Sequence, residues 1–116
     1  MSNDSIAAQI GQAWRYQRED KAEAAIAEYE RILRQDPENV DASYGMGLAQ
    51  RTAGKYEVAT KYFQQTLKLV EAAIVARRGT TEIFVANTPE DDRLMILTRM
   101  VKQRLAELND VLQPRR

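Results

Sequence analysis

The sequence contains no cysteine and no histidine among its 116 residues. Without cysteine the chain can form neither disulfide bonds nor thiolate metal sites, and it has no thiolate nucleophile. Without histidine it also lacks the commonest general base and the commonest metal ligand. These two absences exclude most hydrolase and metalloenzyme mechanisms. We therefore expect a protein that is not an enzyme and that binds no metal or other cofactor.

A surplus of basic charge is also missing, since 17 Lys and Arg residues balance 17 Asp and Glu residues. Proteins that bind nucleic acid usually carry such a surplus to displace counterions from phosphates. The first residues, MSNDSIAAQIGQ, have neither the basic start nor the apolar core of a secretory signal. No apolar run approaches the roughly 18 residues of a membrane span. We expect neither nucleic acid nor membrane as a partner, and a cytoplasmic location by default.

Glycine and proline are scarce, with five and three residues, and helix-favouring residues dominate the chain. Strand character is confined to Ile-Phe-Val at 83–85, and one strand without a partner leaves its backbone groups unpaired. We interpret that segment as a loop or the start of a helix. The length suits one domain with a modest core. The sequence thus predicts an all-α single domain over residues 1–116.

Apolar periodicity and helix-ending residues divide the chain into five predicted helices. They extend over about 5–18, 21–35, 37–53, 55–78 and 89–112. Asp36 and Pro37 are expected to cap and open the third helix, as Thr88 and Pro89 open the fifth. Gly54 stands where a helix ends in a left-handed residue. The fifth helix carries a long apolar stripe of Leu94, Leu97, Val101, Leu105, Leu108 and Leu112.

The first and second helices match the third and fourth at an offset of 34 residues. Small residues recur where helices would approach closely, as at Ala13 and Gly47, and aromatic residues recur at Tyr29 and Phe63. The identical pairs are Ala8 and Ala42, Gly11 and Gly45, Lys21 and Lys55, Glu23 and Glu57, Ala25 and Ala59, and Leu33 and Leu67. This period and layout predict a repeated helix-turn-helix unit.

The repeated unit resembles the tetratricopeptide repeat, with one repeat over 6–39 and a second over 40–72. The residues that carry the resemblance are Ala13, Tyr16, Ala25, Tyr29 and Pro37, followed by Met46, Gly47, Gly54, Tyr56, Ala59 and Phe63. The departures are Gln9, Ser43, Gln50 and Glu71, where the family often has Trp, Trp, an aromatic residue and Pro.

Because Glu71 replaces that proline, we expect the fourth helix to continue to about residue 78. A connector over 79–88 and a C-terminal helix over 89–112 then follow. The resemblance implies antiparallel helix pairs stacked as a short right-handed α-solenoid, closed by the long C-terminal helix.

The resemblance also implies a function, which is to bind a peptide or helix of another protein in a concave groove. The family's groove positions correspond to Ile10, Trp14, Gln17 and Arg18 in the first helix, and to Asp41, Tyr44, Leu48 and Arg51 in the third. Trp14 and Tyr44 would be aromatic anchors, and Arg18 and Arg51 would donate to carboxylates or carbonyl groups. Alternatively, the fifth helix of the same chain covers Trp14 and Tyr44 as part of the core.

A second hypothesis is a homo-oligomeric assembly scaffold, in which the apolar face of the C-terminal helix forms a homodimer. The face broadens in the first half of that helix, where Met95, Ile96 and Met100 widen the stripe. The candidate self-association residues are Leu94, Met95, Leu97, Met100 and Val101.

Overall fold

The computed structural model describes residues 5–78 and 88–113. These residues form helices α1 (Ile6–Arg18), α2 (Ala22–Gln35), α3 (Val40–Thr52), α4 (Tyr56–Arg78) and α5 (Pro89–Leu112). Each helix packs against the next in the chain, which confirms the predicted all-α architecture of stacked helix pairs. The predicted connector lies outside the described residues except for Thr88, and so does the Ile-Phe-Val segment.

Side-chain caps define where three helices begin. The Ser5 side chain accepts a hydrogen bond from the Ala8 amide, and Thr88 accepts one from the Asp91 amide. The prediction that Asp36 and Pro37 open α3 is wrong. Asn39 is the cap, because its Oδ1 accepts from the amide of Ala42 at 2.8 Å, and the segment before it forms a turn.

The turns inside the two helix pairs have the same geometry at the 34-residue offset. Asp20 and Gly54 both have positive φ, 60° and 81°. In each turn the following amide, of Lys21 or Lys55, donates to a carbonyl five residues earlier at 2.8 or 2.9 Å. Glycine adopts this conformation without strain, and Asp tolerates it better than most residues. The prediction that Gly54 ends a helix in a left-handed residue is therefore confirmed.

Helix α3 is the centre of the stack, because two glycines let aromatic rings from both neighbours approach its backbone. The ring of Tyr29 on α2 lies where a β-carbon at Gly45 would stand, and the ring of Phe63 on α4 lies where one at Gly47 would stand. Tyr29 and Phe63 are completely buried. α2, α3 and α4 are therefore packed at a separation that any larger residue at Gly45 or Gly47 would increase.

The core consists of three clusters along the stack. The first joins α1, α2 and α3 through Ala13, Ala25, Ile26, Tyr29, Ile32, Ala42, Met46 and Ala49. The second joins α3 and α4 to α5 through Tyr44, Ala59, Phe63, Val101 and Leu108. The third joins α4 to the first half of α5 through Val70, Leu94 and Leu97. α5 is therefore an integral part of the core.

The order of these contacts shows that α5 runs antiparallel to α4. Val70, late in α4, packs with Leu94, whereas Phe63, earlier in α4, shares a cluster with Leu108. Where α4 ends and α5 begins, the Arg77 guanidinium pairs with the carboxylate of Asp91, which is 4% exposed. The hydrogen bond to Asp91 raises the pKa of Arg77, which therefore remains a cation.

Replacing Gly45 by Ala tests the close approach to α3. The added methyl group would overlap the Tyr29 ring, so we expect the free energy of unfolding to fall by about 2 kcal/mol or more. Urea denaturation followed by circular dichroism measures this loss.

Gly11→Ala is the matched control, since Gly11 lies within α1 and an added β-carbon there has no neighbour within 4 Å. Removing a helical glycine should stabilise the protein by about 0.5–1 kcal/mol. Equal effects of the two substitutions would contradict the packing argument.

Candidate functional site

Trp14 stands apart from the other large apolar residues of α1. Ile6, Ile10 and Tyr16 pack against the first core cluster, but Trp14 is not among the described residues that do so. It is nevertheless only partly exposed, and Arg18, one helical turn further on, is exposed. α1 therefore presents a large aromatic side chain and a cation outside the core.

Gln17, the third predicted groove residue of α1, supports the fold. Its Oε1 atom accepts a hydrogen bond of 2.5 Å from the Tyr29 hydroxyl, which lies against Gly45. Burial raises the pKa of Tyr29 far above its ordinary value, and the nearby charge of Asp41 adds to the effect. Tyr29 therefore stays a neutral donor to Gln17 at physiological pH.

Tyr44 lies in the core. It is 6% exposed, and its ring packs at a tilt of 53° against that of Phe63, with the centroids 5.6 Å apart. Val101 and Leu108 of α5 belong to the same cluster, and Leu48 packs against it. The C-terminal helix therefore covers Tyr44, which agrees with the alternative interpretation for this residue. Trp14 lies outside this cluster.

The two remaining predicted residues of α3 form ion pairs with α5. Asp41 Oδ1 accepts from the Arg93 guanidinium at 2.6 Å, and Arg51 donates to Glu107 Oε1 at 3.4 Å. Burial alone would lower the pKa of Arg93, but Asp41 and Glu90 outweigh it and raise the pKa, so the guanidinium stays charged. Because both partners follow the same order along their helices, α5 runs parallel to α3.

Most of the predicted self-association face is internal. Leu94, Leu97 and Val101 are buried against other parts of the same chain, and Met95 is partly buried. Met100 remains 36% exposed, and its neighbour Ile96 is 53% exposed. The apolar surface that α5 leaves accessible in its first half is therefore narrower than the sequence predicted.

A pocket of about 470 Å³ lies on this exposed part of α5. It is lined by Pro89, Asp92, Arg93, Ile96, Leu97 and Met100. Sequence reasoning missed Pro89, Asp92 and Arg93 as site residues because it assigned them to the start of a helix. The available signal was their spacing from Ile96, which Arg93, Asp92 and Pro89 precede by three, four and seven residues.

Within residues 5–78 and 88–113, no group of three acidic residues is placed to hold a metal ion. None of the helices in these ranges is long and apolar enough to cross a membrane.

Comparison with known families identifies the repeat. A family described as Tetratricopeptide repeat matches residues 10–76, which is more than half of the chain. The chain belongs to the tetratricopeptide repeat family. Repeats of this family generally mediate protein–protein interaction and are not catalytic. α5 lies beyond the matched residues, and no curated protein matches the chain significantly.

The neutral, buried Tyr29 predicts a dependence of stability on pH. Its pKa is raised in the folded protein above the ordinary 10.0, so its stabilising contribution is complete below about pH 10 and is lost as the pH rises further. Tyr29→Phe should lower the free energy of unfolding by about 1 kcal/mol at neutral pH, because the hydrogen bond to Gln17 is lost. It should also reduce the loss of stability at alkaline pH.

Urea unfolding at a series of pH values between neutral and strongly alkaline measures both effects. Tyr56→Phe is the control, because Tyr56 is exposed. If the free energy of unfolding falls equally steeply with alkaline pH in wild type and in Tyr29→Phe, the result would argue against a raised pKa of Tyr29.

Proposed function

We propose that this tetratricopeptide repeat protein is a non-catalytic interaction module that binds a peptide or helix of a partner protein. The binding surface is the joint face of the parallel helices α1, α3 and α5, termed here the first-helix surface. Its residues are Ile10, Trp14, Arg18, Leu48, Arg51, Ile96 and Met100. The position of Trp14 outside the core clusters is the observation that carries this proposal.

Trp14 suits an anchor because tryptophan and arginine contribute most often to binding energy at protein interfaces. A partly exposed indole in a monomer leaves apolar area that a partner can still remove from water. Ile10 and Leu48 are also only partly buried, so they add apolar area at corresponding faces of α1 and α3. Together these three side chains form an apolar floor.

Two guanidinium groups flank this floor at the C-terminal ends of their helices. Arg18 is exposed, and Arg51 shares the carboxylate of Glu107 with Arg104, which donates to the same oxygen at 2.9 Å. The Arg51 contact is long, at 3.4 Å, so little is lost when Arg51 turns to another acceptor. Arginine binds carboxylates and backbone carbonyls through several donors at once.

Trp14→Ala should abolish capture of a partner from native lysate, since truncating a central interface aromatic residue typically costs about 2 kcal/mol or more of binding. The melting temperature of the variant should change little, because Trp14 lies outside the core clusters. Tyr44→Ala is the matched contrast. It empties a core site, so we expect a loss of roughly 3–5 kcal/mol of stability.

Affinity capture with the two variants and wild type, together with thermal melts, separates the roles of the two residues. A Trp14→Ala variant that is as unstable as Tyr44→Ala would make Trp14 a core residue. A stable Trp14→Ala variant that captures the same proteins as wild type would remove the first-helix surface as the binding site.

A further inference from the structure

The pocket on α5 faces the same side as the two ion pairs to α3. Ile96 lies three residues after Arg93, Met100 lies four residues after Ile96, and Glu107 lies seven residues after Met100. Residues at these steps share one side of a helix. Because Arg93 and Glu107 both reach α3, Ile96 and Met100 lie on the side of α5 next to α3. The pocket therefore extends the first-helix surface.

The side of α5 that points away from the stack has a different character. Its exposed residues carry charges of both signs or a small side chain: Arg99, Lys102, Ala106 and Asp110. This pattern is typical of a solvated helix face. The apolar residue on this side, Met95, is partly buried, so the exposed large apolar residues on the first half of α5 are Ile96 and Met100.

Charge is distributed unequally along the first-helix surface. Near the C-terminal end of α3, Arg51 and Arg104 of α5 both donate to one carboxylate oxygen, that of Glu107, and Arg18 at the end of α1 is exposed. Glu19, in the turn after α1, is paired with Lys21 at 3.2 Å. Two guanidinium groups share this one carboxylate, so Glu107 neutralises only one of the two positive charges. A ligand that supplies carboxylates would neutralise the other.

Resting on the proposed function, we propose that the partner is an amphipathic segment of another protein that carries an apolar side chain and, several residues away, acidic residues. The apolar side chain occupies the α5 pocket against Ile96 and Met100. The acidic residues contact Arg18 and Arg51 at the C-terminal end of the surface. The pocket, at about 470 Å³, is open to solvent and its accessible surface is mostly apolar, which suits a large apolar side chain.

A segment fits this surface better than a second copy of the chain does. A stable dimer buries about 800 Å² on each partner. Ile96 and Met100 are two side chains, exposed by 53% and 36%, and the adjoining outer side of α5 is charged. A short segment needs only the pocket and the positively charged groups, and the surface provides both.

The test uses the full chain and a displayed library of short random peptides. Peptides selected on wild type should carry an apolar residue and be enriched in acidic residues several residues away from it. Ile96→Lys and Arg18→Glu should each weaken binding of the selected peptides by about tenfold or more. The matched controls are Val58→Lys, which changes an exposed apolar residue of α4, and Lys61→Glu, an exposed charge reversal on the same helix. Both controls should leave binding unchanged.

The other outcomes separate this inference from the broader proposal. Selected peptides that are neutral or basic, or that bind Ile96→Lys as well as wild type, would overturn the inference while peptide binding itself stands. If no peptide is enriched on wild type, both fail. A dimer in light scattering that Ile96→Lys converts to a monomer would assign the pocket to a second copy and overturn the inference.

Discussion

The approach of two aromatic rings to the backbone of α3 is the contact on which the rest of the structure depends. Tyr29 from α2 and Phe63 from α4 lie against Gly45 and Gly47, where no side chain could stand between ring and helix. Since interiors are packed as densely as organic crystals, a change of one methyl group at such a site is felt by both helices. These contacts set the separation of α2, α3 and α4.

α1 also packs against α3, and α5 contacts α3 through ion pairs and through the second core cluster. The Asp41–Arg93 and Arg51–Glu107 pairs join the two helices near both ends of α3. Between them Tyr44 is buried beside Phe63. Exposed ion pairs contribute little stability. The apolar contacts in the second and third core clusters therefore hold α5 in place, and the ion pairs follow the same direction.

This coverage divides the surface implied by the family into an internal part and an accessible part. Tyr44 lies in the core, whereas Trp14 and Arg18 on α1 lie outside the clusters to which α5 contributes. α5 in turn adds a pocket at Ile96 and Met100 that the matched repeat residues do not include. The proposed binding surface therefore combines residues from the repeats and from the helix that follows them.

The sequence by itself determined the five helices, the turns at Asp20 and Gly54 and the family, because these depend on local spacing and on residue types repeated every 34 positions. It could not separate Trp14 from Tyr44, since both are aromatic residues on first helices of their pairs. Only the tertiary structure decided between them. Burial depends on which distant helix packs over a residue, and that choice follows from contacts between α4 and α5 that no local pattern contains.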